Sequence, residues 1–62
     1  MKTFTSTYTV ENMTVRFVSE IVDGEKMDTQ VFFDSTYICT ISGAEIGSFM
    51  RDLKSLVENH RI

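Results

Sequence analysis

The chain contains no proline, no tryptophan, a single cysteine and a single histidine, and each shortage removes a class of explanation. One cysteine cannot close a disulfide within the chain, and the four-ligand sets of structural zinc sites have no counterpart here. Stapled secreted domains and zinc folds are thereby set aside, and a reducing compartment, the cytoplasm, is the expected location. No apolar run approaches the ~20 residues of a membrane span. Met1-Lys2-Thr3-Phe4 leads into alternating threonines instead of the continuous apolar core of a signal peptide. No membrane association is expected.

Basic residues are also scarce: six Lys and Arg stand against nine Asp and Glu, for a net charge of −3. Proteins bind nucleic acid by neutralising phosphates with cations, so nucleic acid is not an expected partner. The acids crowd the middle of the chain at Glu20, Asp23, Glu25, Asp28 and Asp34, while Arg51, Lys54, His60 and Arg61 come late. Cations late in a terminal helix complement its dipole.

Groups that could carry chemistry are equally thin. His60 falls at the end of the last apolar stripe, where it suits a helix C-terminal cation or a packing residue better than a general base. Cys39 falls on the predicted core face, where burial raises a thiol pKa and suppresses reactivity. Asp23-Gly24-Glu25 and Asp28 lack the twelve-residue loop of alternating oxygen ligands that binds calcium. Gly43 and Gly47 carry no accompanying Lys-Ser or Lys-Thr that would make a phosphate cradle. No catalytic, cofactor-binding or metal site is expected, and the protein is not expected to be an enzyme.

What is present is a regular pattern over 62 residues, read as a single domain spanning 1–62. A chain of this size buries only about 60% of its unfolded surface, so tight packing or a partner subunit is expected to supplement its stability. From Thr3 to Val10, threonines occupy the odd positions, while Phe4, Ser6, Tyr8 and Val10 occupy the even ones. That is the period of a half-buried strand. The same alternation predicts strands over 13–22, 27–33 and 37–41, separated by turns at Glu11-Asn12, Asp23-Gly24 and Asp34-Ser35-Thr36. Antiparallel pairing tests this on paper, because opposed residues share a face. A two-residue turn at Glu11-Asn12 sets Val10 against Met13 and Tyr8 against Val15. A three-residue loop at 23–25 sets Ile21 against Met27, Phe17 against Val31 and Val15 against Phe33. A three-residue loop at 34–36 sets Phe33 against Tyr37, Val31 against Cys39 and Phe32 against Ile38.

Ser42-Gly43-Ala44-Glu45 matches a capping box and predicts a helix over 43–59. Ile46, Phe49, Met50, Leu53, Leu56 and Val57 fall three and four apart on one side of it. Gly47 in its first turn is expected to let it approach the sheet closely. The fold class that follows is α+β: a four-stranded antiparallel meander, order 1-2-3-4, with one C-terminal helix on one face.

The other face is left open. It should be mostly polar, with threonines, Glu20, Asp28 and Gln30, but the register also puts Val18, Phe32 and Ile38 there beside Arg16. These four are the candidate contact residues for a protein partner or a second copy. The first and fourth strands are unpaired edges that offer a second route to self-association, and a homodimer is expected. The ββββα order resembles that of positive-cofactor-like single-strand-binding coactivators. That family contacts DNA through basic, aromatic sheet surfaces, for which this face offers Arg16 and Phe32; the alternative reading is a weak single-stranded nucleic-acid binder with Phe32 stacking on bases and Arg16 and Lys26 touching phosphates. The leading expectation is a compact interaction module, an accessory or inhibitor protein of the kind bacteriophages encode.

Overall fold

The computed structural model describes residues 2–61, and of Lys26 and Met27 the backbone only. Strands β1 (Lys2–Val10), β2 (Met13–Val22), β3 (Glu25–Phe33) and β4 (Thr36–Ile41) form one antiparallel sheet in the order β1-β2-β3-β4. This is the meander the alternation predicts. Glu11 and Asn12 both take positive φ, 50° and 65°, and Asp23 and Gly24 do the same at 52° and 81°. Such pairs make the tight turns whose twist matches that of the flanking strands.

The three-residue loops expected at 23–25 and 34–36 are in fact two-residue turns, with Val22 opposite Glu25 and Phe33 opposite Thr36. Shortening a loop by one residue slips the register by one and sends every side chain to the wrong face. The sheet undoes each slip with a bulge. Between β2 and β3 the shift lies between Ser19 and Ile21, and between β3 and β4 it lies between Val31 and Phe32. Beyond the bulges the expected pairs return: Phe17 with Val31, Val15 with Phe33, Val31 with Cys39. Before them they do not. Ile21 faces Lys26, not Met27, whose expected place in the core lies outside the described side chains. Tyr37 faces Phe32, not Phe33.

Asp34 ties the turns at one end together. Its amide donates to the Thr14 carbonyl at 2.7 Å, and its carboxylate accepts from the Thr14 amide at 3.2 Å. The side chain thus continues the β2–β3 ladder where β3 has already turned away.

The helix starts where the capping signal puts it. The Glu45 carboxylate accepts from the Ser42 amide at 3.0 Å and from the Ser42 hydroxyl at 2.9 Å, and the Glu45 amide donates to the Ser42 carbonyl at 3.0 Å. These bonds hold the carboxyl below the usual glutamate range. Gly43–Glu45 form a 3-10 turn, followed by α1 (Ile46–Arg51) and α2 (Leu53–Arg61). The single expected helix is therefore interrupted at Asp52, where ψ opens to 3°. Aspartate is a poor residue for a helix interior because its side chain competes for the backbone. The interruption is a kink rather than a break, since Asp52 still donates to Ser48 and Leu56 still donates to Asp52.

Met13, Val15, Phe17, Val31, Phe33 and Ile41 of the sheet are buried with Leu53 and Val57 of α2. Phe49 meets the Phe17 ring edge-on at 6.0 Å, and the His60 ring stands edge-on to Phe33 at 5.3 Å. His60 thus sits in the last turn of α2 at the end of the stripe, exposed but with its ring against Phe33. Gly47 does not serve a close approach, because a Cβ there would meet nothing within 4 Å. At about 1.5 Å per residue the helices span roughly 24 Å, whereas a ten-residue strand runs about 33 Å. The sheet consequently outreaches its cover. Only Val10 of β1 is even half-buried, and Phe4 and Tyr8, on the helix side, are 55% and 41% exposed.

Candidate functional site: the open face of the sheet

The face opposite the helix is organised in rows running across the strands. One row is Thr7, Arg16, Phe32 and Tyr37, each directly opposite the next. The Arg16 guanidinium lies over the Phe32 ring, 5.2 Å from its centroid. On the other side the Tyr37 ring meets Phe32 edge-on at 5.7 Å. A cation over an aromatic face at an exposed site contributes about 0.5–1 kcal/mol, and an edge-on aromatic pair a similar amount. The row is thus held in place before anything binds. The next row is Thr5, Val18, Gln30 and Thr40, and the Tyr37 hydroxyl lies 2.6 Å from the Thr40 hydroxyl.

Tyr37 and Thr40 are three apart in sequence, a spacing that puts residues on opposite faces of a regular strand. The bulge at Ile38 is the reason they share one. β4 has an extra residue there, so Ile38 and Cys39 both turn toward the helix side and pack against the buried cluster. Ile38 is therefore not the outer-face partner of Phe32 that the sequence suggests. Tyr37 takes that place and is 53% exposed. Of the four candidate contact residues, the fold brings Arg16, Val18 and Phe32 together on the open face and sends Ile38 to the core side.

Charge is divided along this face. Arg16 marks the aromatic end, while a shallow depression lined by Val18, Glu20, Asp28, Gln30 and Thr40 carries two carboxylates at the other. Among the described residues no three His, Cys, Asp or Glu side chains converge as a metal site. The Cys39 thiol, on the helix side, has its pKa raised by burial and, secondarily, by the nearby Glu45 carboxylate. Among the described residues no helix is long and apolar enough to cross a membrane.

The row sets a cation over one aromatic ring and a second ring edge-on to it, with Tyr37 exposed. The likeness to single-strand-binding coactivators is one of element order, and order alone transfers no function. Compared with known protein families, curated proteins and solved structures, the chain matches none.

Proposed function

We propose that this chain is a small non-enzymatic interaction module that binds a protein partner through the Arg16–Phe32–Tyr37 row and self-associates as a homodimer. It would work in the cytoplasm as an accessory or inhibitor protein of phage type. The observation that carries this reading is the row itself: an arginine over one aromatic ring and a second ring edge-on to it, on a face that no other described element covers. Tyrosine, phenylalanine and arginine are enriched at protein interfaces, and the residues that dominate binding energy are drawn largely from tyrosine, tryptophan and arginine. The threonine rim and the flanking Val18 suit the partly polar surround of such a centre. A complementary partner presents a carboxylate and an apolar pocket at the row and a cation toward Glu20 and Asp28.

Single-stranded nucleic acid is the second reading, because an exposed tyrosine, a half-buried phenylalanine and an arginine also suit base stacking. Lys26, the other cation considered for it, lies outside the described side chains. Glu20 and Asp28 on the same face and the net charge of −3 weigh against it. Capture from host extract with wild type, Phe32→Glu and Tyr37→Ala tests the first reading. A specific partner should be retained by wild type, lost from both variants and kept by Arg51→Ala on the helix side. An oligonucleotide titration followed by amide resonances at low salt tests the second, since phosphate contacts must weaken steeply as salt rises. Shifts confined to the row, with no protein partner sensitive to Phe32, would replace the first reading with the second.

A further inference from the structure

We infer that two copies join through the free edge of β1, antiparallel and centred on Ser6, so that two four-stranded sheets become one of eight. The inference rests on the self-association proposed above and assigns it a surface. The two edges of the sheet are not equivalent. β4 is six residues long, is interrupted by the bulge at Ile38 and runs directly into the 3-10 turn. Shortness and bulges are the devices by which sheets blunt an edge. β1 is nine residues long and pairs with β2 without a shift, and its residues Lys2–Thr9 are all exposed. Lys2 is its only charge. Apart from Lys2 at its end, it carries none of the usual protection.

The register of that edge follows from its chemistry. The tight turn at Glu11-Asn12 makes Val10 and Met13 a hydrogen-bonded pair, so Lys2, Phe4, Ser6, Tyr8 and Val10 point their backbone groups at β2. The N–H and C=O groups of Thr3, Thr5, Thr7 and Thr9 therefore point outward. A two-fold axis at Ser6 sets Thr5 against Thr7 of the other copy and Thr3 against Thr9, and all four threonines find backbone partners. Shifting the axis by one residue toward Thr7 sets Thr3 against the turn residue Glu11 and leaves it unmatched.

The same register explains the exposed aromatics. It opposes Phe4 to Tyr8 of the other copy, twice, at positions where antiparallel side chains lie closest. Both residues stand on the helix side, where the helices leave them exposed. The axis keeps both copies' helices on one side of the joined sheet, so these aromatic pairs form the floor of the groove between them. Tyr8 already touches Phe17 of the core, ring centroids 5.6 Å apart, so the contact runs unbroken from core to core. Charge agrees as well. Two chains of net charge −3 meet along a strand without an acid, and each Lys2 falls beside the turn that carries Glu11 of the other copy.

The test is register-specific. In a Cys39→Ser background, Ser6→Cys should oxidise to a covalent dimer, because the axis residue faces itself at about 4.5 Å between Cα atoms, within disulfide reach. Thr5→Cys should not. In sedimentation across a concentration series, Thr7→Pro, which removes only an outward N–H, should weaken the dimer about tenfold or more while leaving the circular dichroism of the monomer intact. Phe4→Lys alone and Tyr8→Glu alone should each dissociate the dimer, and the double variant, which sets opposite charges across the seam at both places, should restore it. Wild type that stays monomeric throughout overturns both this inference and the self-association it rests on. A wild-type dimer that Phe32→Glu dissolves, and that Ser6→Cys fails to cross-link, overturns the β1 seam alone.

Discussion

Ser19 and Thr29 provide a sharp test of how this core is held together. They face each other across β2 and β3 with exposures of 6% and 1%, and their hydroxyl oxygens lie 2.7 Å apart. Two polar groups inside so small a core are tolerable because each satisfies the other. Thr29→Val keeps the shape and removes one partner, which strands the Ser19 hydroxyl; Ser19→Ala strands that of Thr29. Leaving a buried hydroxyl without a partner costs about 1–3 kcal/mol, whereas replacing both by apolar groups of similar shape is close to neutral. Each single variant should therefore lose about 1–3 kcal/mol, and the double variant, being close to neutral, should fall short of their sum by about 2 kcal/mol or more. A domain of this length has roughly 3–9 kcal/mol in all, so the effect is large. Urea unfolding followed by far-ultraviolet circular dichroism reads it, with a slope of about 1 kcal/mol per molar expected at this size and midpoint shifts of about 1–3 M for the single variants. Strictly additive variants would refute the reasoning, because they would mean that the two hydroxyls do not depend on each other.

Three further outcomes follow from local chemistry. Gly47→Ala adds a Cβ that meets nothing within 4 Å on an exposed turn of α1, so it should raise stability by about 0.5–1 kcal/mol in the same urea assay. The Glu45 carboxyl titrates below its ordinary range because it accepts from the Ser42 amide and hydroxyl. Its contribution to the helix start is then complete above about pH 4.3 and is lost as pH falls through the lowered folded value, so the melting-temperature gap between wild type and Glu45→Gln should close under acid. The Cys39 thiol has its pKa raised by burial and by the Glu45 carboxylate, so alkylation should be slow at neutral pH and its rate should still be climbing past about pH 8.5. A rate that reaches its plateau below that pH would contradict the placement of Cys39.

Strand identities, strand order and the helix start were legible because they rest on periodicity and on a capping signal, both local in sequence. Two things were not. Turn length was misjudged at Asp23-Gly24 and at Asp34-Ser35, and each error alone would have inverted a face. The bulges cancel those differences past Ser19 and Val31, so the pairs expected there form, while the residues between bulge and turn take other partners. A bulge has little signature in one sequence. The adjacent apolar pair Ile38-Cys39, followed by Thr40 and then Ile41, is the trace this one leaves, since both members can face inward only if the strand carries an extra residue. Ser19 and Thr29 were legible in principle, because the register that sets Phe17 against Val31 also opposes them two residues further on. Polarity hid them, since a hydroxyl residue at an inward position looks like an interruption until its partner is found. Coverage was hidden for another reason: helix length and strand length can be compared on paper, but which strand the helix leaves bare depends on the path of the chain after Ile41.

The two surfaces proposed here do not compete for the same atoms. The β1 seam uses outward backbone groups and helix-side aromatics, whereas the Arg16–Phe32–Tyr37 row lies on the opposite face and is left free in both copies. With Thr7 facing Thr5 across the seam, the row through Arg16 of one copy runs on into the row through Val18 of the other. The two Arg16 residues then sit three strand spacings apart, about 14 Å across the sheet, and about 7 Å apart along it. Joined copies thus present two identical grips on one rigid surface, and a partner that repeats its own site at that spacing gains from the second contact without any new chemistry. Tyr8→Glu, which sits on the helix side and outside the row, separates the contributions. On a surface bearing the partner densely, the variant should keep the single-site affinity but dissociate at least about tenfold faster than wild type. Equal dissociation rates would mean that each copy binds on its own and that the joined sheet does not increase the strength of the grip.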